Sequence, residues 1–198
     1  RHSRLRWLDS TIGLDDEIVA PFVPLTVQDQ TIHCLGRNVT LGPMGLPQRI
    51  QSQFAPAVTH LVNQPREVLS GPVQIVVENK QGQPLAWDMQ RPTIVKTTPG
   101  TVTWKSQGTS GALSLTCQGR MEFDGFVSYT IAVSAADPTK VQDIRLEIPV
   151  AKDVAKYVMG MGLKGGLRPA EHHWQWDQTK NQDSVWVGDT NAGLQCAL

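Results

Sequence analysis

Residues 121–133 read MEFDGFVSYTIAV, and they decide the fold class. Two β-prone runs, 121–123 and 126–133, flank Asp124-Gly125. Asp-Gly between alternating runs is a strong hairpin signal, and it predicts a two-residue type I′ turn with positive φ at both central residues. Upstream, TVTWKS at 101–106 and ALSLTC at 112–117 flank GTSG, a second expected hairpin. Downstream, DIRLEIPV at 143–150 alternates Ile144, Leu146 and Ile148 against Arg145, Glu147 and Pro149.

The same period-2 signal continues in both directions. Strands are expected at 25–28, 31–35, 38–41, 50–54, 73–78, 84–88, 154–159 and 184–187, with turns at Asp29-Gln30, Gly36-Arg37, 42–47 and 79–82. Only 56–68 could be helical, and it holds Pro65. Strands and helices do not alternate, which argues against a parallel α/β sheet. Many short strands with regular turn signals predict an all-β fold, a large antiparallel two-sheet β-sandwich spanning 1–198 as one domain. The expected core positions are Leu25, Val27, Ile32, Val39, Leu41, Ile75, Val77, Leu113, Leu115, Phe126, Ile131, Val133, Ile144, Leu146 and Ile148.

Composition removes several function classes. Lys+Arg and Asp+Glu are 18 each, so the net charge is zero and no basic field for nucleic acid is expected. No apolar run reaches the ~18 residues of a membrane helix. The charged fraction is 18% beside 17 Gly and 13 Pro, which favours turns and short strands. There is no G-x-S-x-G elbow, and KGG at 164–166 lacks the rest of a phosphate loop. Cys34, Cys117 and Cys196 include no CxxC; one disulfide with a free thiol is open, and buried free thiols are favoured for Cys34 and Cys117. The acidic turn Asp15, Asp16, Glu17 reads as solvated rather than calcium-binding. The chain starts without Met and ends on a strand-like run, and is expected to be a piece of a longer protein.

The densest chemistry lies at 159–195, with glycines at 160, 162, 165 and 166, three tryptophans and a histidine pair. Tryptophan offers a flat apolar face and one donor, while carboxylates and amides offer directional polar contacts. That mixture suits a sugar. Trp174 and Trp176 are spaced i, i+2 and would share a face of a strand. With Asp177, Asn181, Asp183, Trp186 and Asn191 they form the candidate glycan site. The competing reading is that the tryptophans cover a sheet edge and the polar groups close loops. An enzymatic alternative uses Glu171 as acid with Asp177 or Asp183 as second carboxylate, which requires separations of about 5–5.5 Å or 6.5–9.5 Å. Adjacent His172 and His173 point opposite ways in an extended chain, so Glu171 with His173 would need a third ligand and no metal site is expected. No cofactor is expected.

Several segments together carry a resemblance: WLDSTIGLDDEIVAPFVPL at 7–25, CLGRNVTLGPMGLPQRIQS at 34–52, GRMEFDGFVSYTIAV at 119–133, IRLEIPV at 144–150, MGLKGGLRPAEHHWQWD at 161–177 and NQDSVWVGDTNAGLQC at 181–196. The set resembles the N-terminal β-sandwich region of large bacterial proteins similar to glycoside hydrolase family 123. The resemblance implies a supersandwich-like, non-catalytic domain of a multi-domain, extracytoplasmic protein. It further implies a downstream catalytic barrel carrying an Asp-Glu pair, with a glycan and that barrel as partners. Asp16-Glu17 lies in the acidic turn and does not inherit the catalytic role. A purely structural interdomain module is the remaining alternative.

Overall fold

A computed structural model describes residues 17–180 and 182–197, so Asp15, Asp16 and Asn181 lie outside the described residues. The strands in chain order begin with β1 (Thr26–Gln28), β2 (Thr31–Cys34), β3 (Arg37–Leu41), β4 (Pro47–Phe54) and β5 (Leu61–Glu67). These form an antiparallel meander in that order. Next come β6 (Gln74–Glu78), β7 (Asp88–Met89), β8 (Thr93–Thr97), β9 (Thr101–Ser110), β10 (Leu113–Glu122) and β11 (Val127–Ala135). The second sheet runs β11-β10-β9-β7, with β8 also on β9. The third sheet pairs β6 with β12 (Asp143–Glu147). A fourth runs β14-β13-β15-β16, built from β13 (Tyr157–Gly160), β14 (Leu163–Leu167), β15 (Ser184–Gly188) and β16 (Gly193–Ala197). Every element described is a strand. The fold is the all-β sandwich that the periodicity predicts.

The 121–133 stretch is a hairpin, but its turn differs from expectation. Met121 pairs Val127, and the Glu122 N–H reaches Phe126 O at 2.9 Å. Phe123, Asp124 and Gly125 form a three-residue loop in which only Gly125 has positive φ, 91°. Phe123 is drawn out of the strand because its ring packs on the first core cluster and meets Phe22 edge-on at 5.3 Å. Asp124 Oδ1 accepts the Phe126 N–H at 2.8 Å, and Arg37 donates to Asp124 O at 2.8 Å. The other hairpin turns at Gly111-Ala112, because β9 extends to Ser110, which pairs Leu113.

The first and second sheets face each other across Leu25, Ile32, Cys34, Val39, Leu41, Val102, Trp104 and Met121. The third sheet packs on the same partner further along, through Ile75 and Val77 against Leu113, Leu115 and Cys117. Val68, Val154 and Ala192 make a third cluster, and half-buried Ile50 touches all three. Side chains such as Ile32 and Leu115, at 0% exposure, each contribute about 1.5–3 kcal/mol through burial. Trp104 is buried, and its Nε1 donates to Gly45 O at 2.7 Å. Gly119 sits opposite it, where an added Cβ would lie 2.2 Å from the indole.

Three core assignments are corrected. Phe126 is 57% exposed, since it shares a face with Ser128 and Thr130 while Val127, Tyr129, Ile131 and Val133 face inward. Ile144 and Leu146 oppose Val77 and Ile75 yet are 51% and 44% exposed, because the second core cluster packs on the β6 pair and not on these two. The segment 56–68, the one stretch that could have been helical, holds no helix. Residues 61–67 are strand β5, where Pro65 sits at a sheet edge that needs no donor from it. All three cysteines are free, with Cys34 and Cys117 buried.

Candidate functional site

The fourth sheet positions most of the candidate residues. β14 and β15 both pair antiparallel with β13, one on each side, so they run parallel to one another. Parallel strands require a crossover connection. Residues 168–183 are that crossover and hold no strand among the described residues. The shared strand face expected for Trp174 and Trp176 is therefore not formed: Trp174 is half-buried and Trp176 is 59% exposed.

The polar residues of the crossover are engaged locally. Asp177 Oδ1 accepts the Thr179 hydroxyl at 2.7 Å and its N–H at 3.0 Å, and Lys180 lies 3.3 Å from Oδ2. The Thr179 hydroxyl, followed by its N–H and Lys180, holds this carboxyl below its ordinary range. His173 Nε2 meets Glu171 Oε1 at 2.9 Å, whereas His172 Nε2 is 2.9 Å from Met161 O. The two imidazoles thus serve different partners. Among the described residues no group of three or more His, Cys, Asp or Glu could hold a metal ion. Asp183 is exposed, one residue before β15.

Trp186 occupies the most organised position. Its cross-strand neighbours are Met159 on β13 and Gln195 on β16, forming a row across the sheet. Two residues further along, Gly188 opposes Gly193. A Cβ on Gly188 would lie 2.7 Å from the Trp186 ring, and one on Gly193 would lie 3.3 Å from Nε1. The indole is therefore laid across two glycines, which no larger residue would permit. Met159, Gly160, Ser184, Trp186 and Gln195 line a shallow hollow of about 350 Å³. Tyr157, at 40% exposure, and Leu167, at 79%, lie beside it as the Tyr157–Leu167 cross-strand pair. The hollow offers an aromatic surface, a thioether, a hydroxyl and a side-chain amide. No carboxylate lines it among the described residues.

Asn191 faces elsewhere, into a polar clasp that the sequence reading missed. Its Nδ2 donates to Phe54 O at 2.6 Å, and its own carbonyl accepts from Ser52 Oγ at 2.6 Å. Arg66 donates to Asn191 Oδ1 at 2.7 Å, Asp189 Oδ2 at 3.0 Å and Asp153 O at 2.6 Å. Lys156 reaches Asp189 Oδ2 at 2.7 Å. The Lys156 ammonium, with the Thr190 N–H and Arg66, holds the Asp189 carboxyl down at about 2. These bonds fasten β4 and β5 to the fourth sheet. Arg66 escaped notice because no strand was read in its segment, and its partners lie 87 to 125 residues away.

These features define a large antiparallel β-sandwich domain. Residues 25–198 match the family described as Glycoside hydrolase 123, third domain, and the chain belongs to that family. That is the family the segment resemblance names, and its description ranks the domain third. No curated protein matches the chain. No helix among the described residues is long and apolar enough to cross a membrane.

Proposed function

We propose that this chain is a non-catalytic domain of a bacterial glycoside hydrolase that supports a neighbouring catalytic domain and adds a glycan contact on the outer face of its fourth sheet. The observation that carries this reading is Trp186 lying across Gly188 and Gly193, with Met159, Ser184 and Gln195 around it. An indole held flat can take the C–H face of a pyranose, while the Gln195 amide and Ser184 hydroxyl accept and donate to its hydroxyls. Of the residues expected from sequence, Trp186 is the anchor of this contact. Trp174, Trp176 and Asp177 belong to the neighbouring crossover. An extracytoplasmic location goes with this reading, since polymeric glycans are met outside the membrane.

Hydrolysis by this chain alone would need two carboxylates on either side of a glycosidic bond. Asp177 is spent on its own turn and Glu171 on His173, so the geometry favours the supporting role. The test is affinity electrophoresis on immobilised glycans. Trp186→Ala is expected to weaken retention by about 2 kcal/mol, roughly thirtyfold, as the loss of a central tryptophan anchor does. Trp176→Ala is expected to leave it unchanged. A folded Trp186→Ala protein that is retained normally would leave the purely structural interdomain role as the better reading.

A further inference from the structure

Among the described residues most exposed strand edges are guarded, and the longest unguarded one is β11. A free edge presents unpaired N–H and C=O groups, and proteins blunt it with charge, proline, bulges or shortness. β1 and β7 have three and two residues. β5 carries Pro65, Arg66 and Glu67, and β12 carries Asp143, Arg145 and Glu147. β8 is bulged between Ile94 and Lys96, and β14 carries Lys164 and faces a bulge. β16 lacks charge, proline and bulge, but it spans only five residues. β11 has none of these devices. It is nine residues, VSYTIAVSA, without charge, proline or bulge, and pairs β10 in unbroken register.

The free side of β11 is also defined by parity. Phe126 O accepts from Glu122 N, and Ala136 N donates to Ala112 O, so the even-numbered residues bond to β10. Val127, Tyr129, Ile131, Val133 and Ala135 therefore aim their N–H and C=O groups outward. Among the described residues no backbone hydrogen bond meets them. Ile131 and Val133 on this strand only half-bury on the second cluster.

We propose that β11 pairs antiparallel with β11 of a second copy of this chain, about a two-fold axis through Ile131. In that register Ile131 meets Ile131, Tyr129 meets Val133, and Val127 meets Ala135 on the inner face. Thr130 meets Ala132 and Ser128 meets Ser134 on the outer face. Every inner pair is apolar, every outer pair is small and uncharged, and the outward backbone groups are opposed donor to acceptor. The strand is its own complement, as an isologous interface requires. The join continues the second sheet from one copy into the other.

Sedimentation velocity of the chain from micromolar to millimolar concentration tests this. The chain is expected to show a monomer–dimer equilibrium. Thr130→Lys with Ala132→Lys changes only exposed side chains, and it sets lysine against lysine at both pairs beside the axis. That variant and the matching Thr130→Glu with Ala132→Glu are each expected to be monomeric, with circular dichroism unchanged. Mixing the two is expected to restore the dimer. A wild-type chain that stays monomeric, assemblies larger than two, or a dimer that survives both variants would overturn the proposal. Amide exchange at Tyr129, Ile131 and Val133 that is fast in this chain but slowed in a longer polypeptide would assign the edge to a neighbouring domain, and would likewise overturn it.

Discussion

Among the described residues the buried Tyr129 hydroxyl has no hydrogen-bond partner, although its ring meets Trp104 edge-on at 5.9 Å. Burial, then the nearby Cys117 and Cys196, push this phenol up from its ordinary range. An unmet buried hydroxyl costs about 1–3 kcal/mol, whereas the ring packing is retained by phenylalanine. Tyr129→Phe is therefore expected to raise the unfolding free energy by about 1 kcal/mol, read from urea denaturation. A loss of stability would show that the hydroxyl has a partner. At this scale residue type was legible and partnership was not. Asp177 is a polar residue near tryptophans, as the sequence says, but its acceptor capacity is spent two residues away on Thr179. Asn191 is spent on Phe54, 137 residues distant. Phe126 was misplaced by a parity that the sequence does show, since it cannot share a face with Ile131.

At the scale of elements, the fourth sheet depends on β5 through Arg66. This guanidinium is 24% exposed and serves Asp153, Asp189 and Asn191 together. Hydrogen bonds to charged groups contribute about 1.5–3 kcal/mol, so Arg66→Ala is expected to destabilise by about that amount. Hydrogen exchange would localise the loss: amides of β13 and β15 should exchange faster, with those of β9 and β10 unchanged. Uniform acceleration would mean that the clasp serves the whole fold rather than one sheet. The strands themselves were legible wherever both runs and turns kept period 2, as in β2 to β4 and β9 to β11. β5 was not, because Pro65 and the surrounding polar residues are compatible with a strand only at an edge, and edges are a property of the assembled sheet. The crossover at 168–183 was hidden for the same reason. Strand order, which makes β14 and β15 parallel, leaves no local trace.

For the molecule as a whole, acid is the expected weakness. The carboxyls of Glu67, Glu147, Asp177 and Asp189 are held below their ordinary range by hydrogen-bonding partners. A depressed carboxyl contributes stability above its unfolded value and loses it as pH falls through the folded value. For Asp189 that window runs from the ordinary 3.8 down to about 2. The melting temperature is expected to fall steeply across this window, and Asp189→Asn, already less stable at neutral pH, is expected to fall less. Parallel curves for the two proteins would mean that Asp189 has no part in acid unfolding.

The clasp has a consequence for how the chain is made. Ser52, Phe54 and Arg66 take their partners from residues 189–191, so they are synthesised long before those partners exist. A chain stalled on the ribosome just short of Asp189 already holds every strand of the first three sheets. It still presents the Arg66 guanidinium without the Asp189 and Asn191 acceptors, and the Phe54 carbonyl without its donor. Synthesis of residues 189–191 is thus the event that closes the clasp, and nascent chains cut before it leave Ser52, Phe54 and Arg66 without these partners.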